Sequence, residues 1–368
     1  MSLQNTFTRL SLNRIFARRT QRGWIGVDIG TSAIKLSQIE RQGNHYRIAA
    51  RWSLSASTNN ASDSTLTSSE LISDRLTELK SLRHIFSGRN CAAVLPMSMV
   101  QHRSLELPQS DHAEQFRMVG EELSADLVVE PEDLAFDCWS TGFEAPSNAE
   151  LTDVSVIAAP RALVDQVANR LLSAGFECQA LDGMPCAMAR AVQIASVKQP
   201  DETVLALDMG YTSPMVVVVK NGLPLFTRTM RGVGLQSLMQ PLETSLQISS
   251  EECQELLAHY GVARMDASAN LATQKTMQLI ANPLQNLVTE VKRTIEYVGQ
   301  KFRSMKPARL CLFGGGALVK NLPEYLSHQI QLPVNAWSLD DASSNRADAM
   351  YGVACGLSSI AFESTSCS

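Results

Sequence analysis

Two short stretches of the chain repeat one pattern at domain-scale separation, and few folds accommodate that. The first is Trp24 to Leu36, WIGVDIGTSAIKL, and the second is Val204 to Val218, VLALDMGYTSPMVVV. Each runs from an apolar strand into Asp, an apolar residue, Gly and small hydroxyl residues, then into a second apolar run. Asp28 and Gly30 of the first correspond to Asp208 and Gly210 of the second. Each reads as a β-hairpin in which Gly supplies positive φ or close backbone approach at the turn. Backbone N–H groups and hydroxyls at such a turn cradle phosphate oxygens. An Asp ending the incoming strand suits a hydrated cation, because Mg2+ takes oxygen ligands and keeps several waters. Alone, either stretch is an ordinary tight turn. Two copies in one chain point to duplicated halves facing one nucleotide.

The 368 residues are enough for two or three domains. Hydrophobic residues make up 45% and charged residues 19%, as in an ordinary globular protein. The net charge of -5 gives no global signature of nucleic-acid binding, so no nucleic-acid partner is expected. The eight cysteines form no C-x-x-C and share no metal-ligand spacing with histidine, and read as free, mostly buried thiols of a reducing compartment. No run approaches the roughly 18 apolar residues of a membrane span.

Residues 1–22 form a basic N-terminal tail in which Arg9, Arg14, Arg18, Arg19 and Arg22 interleave with Phe7, Leu10, Leu12, Ile15 and Phe16. It reads either as an amphipathic helix for an anionic membrane surface or as a disordered tail. Tyr46–Leu54 extends the first hairpin, 55–68 is a polar loop, Ser69–Leu82 a helix and Cys91–Leu95 a buried strand. Residues 98–177 then read as an inserted α+β unit. It has an edge strand at Val100–Leu107, a helix at Asp111–Leu123 and strands at Ala135–Thr141 and Val154–Ala158. An amphipathic helix at Ala162–Ala174, stopped by Gly175, closes it.

Phe176–Leu181 reads as a strand and Cys186–Val197 as a helix linking the halves. Past the second hairpin, Leu223–Arg231 is a strand. Helices follow at Leu235–Leu246, at Ser250–Tyr260 behind an S-S-E-E cap, and at Gln274–Met305, which Pro283 kinks or divides. Glu290, Arg293 and Tyr297 share one face of the last helix, ordinarily a solvated charged face. Arg309–Phe313 is a buried strand ending in Gly314, Gly315, Gly316 and Ala317, with a helix from Leu318 to Ile330 directly after it. Glycines between strand and helix let a flat or phosphorylated ligand approach the backbone and the helix N-terminus. Val334–Ser338 reads as a strand and Ala347–Ile360 as a closing helix of small residues.

The order of these pieces resembles the actin-like ATPase superfamily. The DIGT hairpin with Lys35 resembles its phosphate-1 loop, Asp208–Thr212 its phosphate-2 loop and LFGGGA its adenosine loop. The insert resembles subdomain 1C of the FtsA/PilM branch, and the basic leader before IGVDIGTSAIK resembles the start of the PilM family of type IV pilus assembly proteins. The residues after the closing helix, AFESTSCS, do not resemble the linker and amphipathic helix expected of FtsA there. The resemblance implies an actin-like α/β fold of two duplicated ribonuclease-H-like halves. Subdomain 1A would span 23–97 and 178–200, 1C 98–177, 2A 201–247 and 306–340, and 2B 248–305, with 341–368 returning to 1A.

The resemblance also implies ATP with Mg2+ as cofactors. Asp28 and Asp208 would hold the metal, mostly through water. Gly30, Thr31, Ser32, Ala33 and Lys35 would meet the phosphates from one side and Gly210, Tyr211 and Thr212 from the other. Lys292 and Arg293, with Gly314, Gly315, Gly316 and Ala317, would enclose the adenosine. Met184 stands before Pro185 where relatives often carry an acid near the attacking water. Asp182 is then the catalytic candidate, and slow turnover or nucleotide sensing is expected. Pro214, placed early in a strand, would fray the second hairpin or mark an edge.

The implied function is an ATP-binding scaffold at the cytoplasmic face of the inner membrane, in a type IV pilus or type II secretion assembly complex. Its implied partner is the cytoplasmic N-terminal peptide of a PilN-like membrane protein, in a groove drawing on 98–108 and 151–180. Membrane association would be peripheral, through that partner, and the resemblance admits a homo-oligomer. An FtsA-like filament protein and an actin-fold small-molecule kinase are the alternatives, although no catalytic Asp for a kinase stands out beyond the phosphate loops.

Overall fold

Both repeated stretches fold as hairpins. The computed structural model describes residues 20–55, 75–127, 130–145, 148–196, 199, 201–262, 270–301, 306–339 and 346–363. Most of the basic tail, the polar loop after Ser55, the start of the Ser69–Leu82 helix and Cys367 lie outside the described residues. In the first half, β1 (Gln21–Arg22), β2 (Ile25–Ile29), β3 (Ala33–Gln42) and β4 (His45–Ser55) precede β5 (Asn90–Val94). The insert contributes β6 (Gln101–Pro108), β7 (Leu134–Ala145) and β8 (Asn148–Pro160), and β9 (Glu177–Asp182) returns to the first sheet. The second sheet holds β10 (Val204–Asp208), β11 (Met215–Lys220), β12 (Leu223–Thr229), β13 (Arg309–Phe313) and β14 (Val334–Ala336).

The two large sheets have one strand order. The first runs β4-β3-β2-β5-β9 and the second β12-β11-β10-β13-β14. In each, three strands consecutive in sequence, β2-β3-β4 and β10-β11-β12, form an antiparallel meander, and two later strands run parallel to its first strand, while the short β1 pairs with β3. β2 and β10 are therefore interior strands and are buried along their whole length, as their unbroken apolar runs require. In such sheets ligands collect at the carboxyl ends of the strands. Asp28 stands at that end of β2 and Asp208 at that end of β10.

The helices are α1 (His112–Leu127), α2 (Arg161–Ser173), α3 (Met184–Ala195), α4 (Leu235–Leu246), α5 (Ser250–His259), α6 (Leu271–Lys301), α7 (Leu322–Ile330) and α8 (Gly352–Ser358). Two of them are exchanged between the halves. α3 leaves the first sheet and packs on the second, whereas α8 leaves the second and packs on the first, and the two helices lie against each other. Small residues allow this. A Cβ on Gly26 would lie 1.8 Å from the Ala354 carbonyl oxygen, and one on Gly356 would lie 1.9 Å from that of Ala187.

The insert's sheet, ordered β6-β8-β7, has its own core with Val119 and Leu123 of α1 packed on Val154 and Val156. α2, read from sequence as part of that unit, touches β7 and β8 and buries Val167 and Leu171 with Ile25, Val27 and Leu36 of the first sheet. The insert also touches the second half: Trp139 Nε1 donates to Pro224 O at 2.9 Å, and Lys301 Nζ to Asp153 Oδ2 at 2.7 Å.

Several sequence expectations shift. α6 runs unbroken through Pro283, with Ile280, Leu284 and Leu287 buried on either side of it. Burying that stripe outweighs the roughly 3 kcal/mol an interior proline costs. The expected helix from Leu318 starts only at Leu322, with Pro323 in its first turn, because Gly315–Leu318 forms a 3-10 turn. The closing helix is α-helical only over Gly352–Ser358 and 3-10 on both sides. Pro214 precedes β11 rather than sitting within it, and β11 lies between β10 and β12, so that hairpin is neither frayed nor at an edge. The cap on α5 is a full capping box between Ser249 and Glu252.

Candidate functional site

The register of the first hairpin sets Asp28 opposite Lys35, and Lys35 Nζ donates to Asp28 Oδ2 at 3.1 Å. Asp208 joins this pair from the second half. Both carboxylates are buried. Burial pushes the Asp208 carboxyl up to about 6, with the Asp28 charge adding to the rise and Lys35 opposing it. Burial also works against the Lys35 ammonium, but Asp28 and then Asp208 outweigh it, and the net shift is upward. Two buried carboxylates thus share one ammonium, which leaves an excess negative charge between the halves.

Gly314 closes the cleft from the second half. It has φ of +77°, and a Cβ there would lie 2.3 Å from Asp208 Oδ1 and 3.0 Å from Met209 O. The parallel pairing of Asp208 with Phe313 brings the glycines to this carboxylate. Gly316 N donates to Met209 O at 3.0 Å, and a Cβ on Gly316 would strike the Met209 side chain. Gly315 is free of such backbone crowding, its nearest contact being Leu235 Cδ2 at 3.3 Å. Since α7 opens only at Leu322, its N-terminus does not adjoin these glycines, contrary to the sequence expectation.

The two hairpin loops differ. In the first, Gly30 N donates to Ala33 O at 3.0 Å, and a Cβ on Gly30 would lie 2.8 Å from that oxygen. Close approach, not positive φ, is the reason for this glycine: neither Gly30 nor Gly210 is among the positive-φ residues. Thr31 is exposed and Ser32 and Ala33 are half-buried. The second loop is longer and pinned to α4, with Leu235 N donating to Gly210 O at 3.0 Å and Gln236 N to Tyr211 O at 2.9 Å. Burial, then Glu243, raises the Tyr211 phenol, and the Ser250 hydroxyl bonds to it, so the ring turns toward α4 and α5. Thr212 remains exposed.

No hydrogen bond or ion pair among the described residues joins three of the expected site residues, Lys292, Arg293 and Asp182, to this cluster. Lys292 and Arg293 are exposed on α6. Arg293 Nη1 donates to Glu290 Oε1 at 2.7 Å, and Glu290 also holds Arg228 of β12 at 2.5 Å. The face carrying Glu290 and Tyr297 therefore covers β12, with Tyr297 and Phe226 ring centroids 5.2 Å apart. Asp182 is in register with Val94, which is in register with Asp28, so it stands two strands from Asp28, about 10 Å. Its carboxylate accepts from Gly183 N at 2.8 Å and is ion-paired with Arg190.

One residue escaped the sequence reading. Arg75, in the helical turn at 75–78, donates through Nη1 to Gly30 O at 3.2 Å and Thr31 O at 3.3 Å. No spacing signals it, because the contact joins positions 45 and 44 apart.

Among the described residues no group of three or more His, Cys, Asp or Glu could hold a metal, and no helix is long and apolar enough to cross a membrane. The Asp28–Asp208 pair still fits Mg2+, which is typically held by one or two carboxylates, waters and substrate phosphates. A carboxyl pushed up to about 6 beside a second carboxylate is a group that a cation would relieve.

Two sheets of one strand order, helices exchanged between them and a carboxylate from each half at the cleft define an actin-like α/β fold. The chain belongs to the family of the type IV pilus assembly protein PilM, whose family model matches residues 26–357. Among solved structures it is similar to a chain of a PilM–PilN type IV pilus biogenesis complex, with 20% identity and a TM-score of 0.71 over 91% of this chain and 97% of that one. The ethanolamine utilization protein EutJ from Carboxydothermus hydrogenoformans is similar at 15% identity and a TM-score of 0.52, over 92% of this chain and 89% of that one. No curated protein matches by sequence.

Proposed function

We propose that the chain binds ATP with Mg2+ between its halves and serves as a scaffold of a pilus or secretion assembly complex at the cytoplasmic face of the inner membrane. Family membership supports the setting, and the Asp28–Lys35–Asp208 cluster closed by Gly314 supports the ligand. Asp28 and Asp208 would hold the metal through water. Gly30, Thr31, Ser32 and Ala33 would offer the first loop's backbone to the phosphates, and Gly210, Tyr211 and Thr212 the second's. Gly314 to Ala317, with Lys292 and Arg293, remain the proposed adenosine side. In isothermal titration the wild type is expected to bind Mg-ATP. Asp28→Ala is expected to weaken that binding by about tenfold or more, the scale of a charged contact. Absence of Mg-dependent binding in the wild type overturns the reading.

The partner we propose is the N-terminal cytoplasmic peptide of a PilN-like membrane protein. A cavity of about 120 Å3 lies between the first sheet and the insert, lined by apolar Leu95, Val100, Phe136, Ile157, Ala159 and Leu181 with Asp137 and Asp182. β6 is an edge strand of the insert, and an extended segment docks by pairing with such an edge and filling apolar pockets. Asp182 then serves as a wall of this groove. Val100→Arg is expected to lose capture of such synthetic peptides in a pull-down while keeping Mg-ATP affinity. Undiminished capture would move the groove elsewhere.

A further inference from the structure

The nucleotide reading leaves Arg75 unused, and its surroundings are unusual for a guanidinium. Its Nε and Nη2 atoms are buried without a hydrogen-bond partner among the described residues. None of the ion pairs among the described residues includes it, although the Glu78 carboxylate lies near enough to act on it and offset part of the cost of burial. Guanidinium nitrogens buried without an acceptor are expensive and persist where they serve something else. Only its Nη1 edge is engaged, and it grips the two carbonyls at the tip of the first loop.

Those carbonyls belong to the Gly30–Thr31 and Thr31–Ser32 peptide groups. Both are trans, since the chain has no cis peptide bond among its described residues. In a trans peptide the C=O and N–H point in opposite directions. Gripping Gly30 O and Thr31 O from one side therefore aims the N–H groups of Thr31 and Ser32 to the other. The same bonds polarise each peptide and make its N–H a stronger donor. Two neighbouring N–H groups turned one way form an anion-binding concavity. The charge balance agrees: Asp28 and Asp208 outnumber Lys35, so a polyphosphate entering this cleft needs further positive charge close by.

We propose that Arg75 is a positioning residue for polyphosphate binding, acting through the Gly30–Thr31 and Thr31–Ser32 peptide groups. The proposal rests on the nucleotide reading above. It differs from that reading in assigning the effect to the phosphates alone.

The test uses the full chain and compares wild type, Arg75→Met and Arg75→Lys by titration with Mg-ATP and with adenosine. Arg75→Met is expected to lose about tenfold in Mg-ATP affinity, the scale of hydrogen bonds from a charged donor. Adenosine affinity should stay within about twofold, because no phosphate is involved. Arg75→Lys should recover part of the loss, since an ammonium reaches one carbonyl but lacks the fork. Unchanged Mg-ATP affinity in Arg75→Met, or an equal loss for adenosine and Mg-ATP, overturns the proposal while leaving the nucleotide site standing. A wild type that binds no Mg-ATP overturns both. If Arg75→Met does not fold, Arg75→Lys decides: a loss confined to Mg-ATP supports the role, and wild-type affinity removes it.

Discussion

Asp208→Asn is expected to melt at a higher temperature than the parent chain in magnesium-free buffer at pH 8, and to lose magnesium-dependent nucleotide binding. The two effects have one cause. Burial, with Asp28 beside it, raises the folded-state Asp208 carboxyl from 3.8 to about 6, and Lys35 only partly offsets this. The folded pKa lies above the unfolded one, so folding disfavours the ionised form. That penalty is fully present above about pH 6, fades between about pH 6 and pH 4, and is gone below that. The displacement corresponds to about 3 kcal/mol, with the opposing attraction to Lys35 already counted in it. The gain in stability should therefore be clear at pH 8 and shrink toward pH 4. The same ionised carboxylate is what a cation would need, so the metal's effect on nucleotide affinity should vanish with it. Differential scanning calorimetry at several pH values checks the first half and titration with and without Mg2+ the second. A gain equal at pH 8 and pH 4 would mean that Asp208 carries no charge penalty in the folded chain.

The hairpins were legible because their information is local: a strand run, Asp, Gly and hydroxyls occupy a dozen residues, and the second copy removes the ambiguity of the first. The parallel strands Cys91–Leu95 and Arg309–Phe313 were legible as short apolar runs bounded by Gly, Asn or Pro. What failed depends on distant partners. Pro283 suggested a break, but Ile280 and Leu284 are held in the core of the second half, and that burial carries the helix through. The expected helix at Leu318 gave way to a 3-10 turn where Gly316 packs on Met209. The α2 stripe announced an amphipathic helix but not whose core it would enter. The ion pair of Asp182 with Arg190 was likewise not announced by the residues around Asp182. Arg75 could not be seen at all: its role exists only where residue 75 meets residues 30 and 31.

Gly356→Val is expected to be the most damaging single change away from the cleft. α8 returns from the second half to the first sheet, and α3 runs the opposite way, so their crossing ties the halves together. At that crossing a Cβ would sit 1.9 Å from the Ala187 carbonyl oxygen and 3.1 Å from Ala191 N, both backbone atoms of α3. A flexible side chain could swing away, but a helix backbone must move as a body. On the other side Gly26 of β2 meets Ala354 O just as closely, so α8 cannot retreat into the sheet. Overpacking a core typically costs about 1–3 kcal/mol, and a clash with helix backbone on one face with close backbone packing behind it on the other places this change at about 3 kcal/mol or beyond. The lower denaturation midpoint should come with an unchanged m-value, the mark of lost stability rather than altered compactness. Gly299, with nothing within 4 Å of its added Cβ, supplies the control, and Gly299→Ala should leave the midpoint nearly in place. If Gly356→Val unfolds at the same denaturant concentration as wild type, the helices do not meet at backbone distance and the exchange does not hold the halves together.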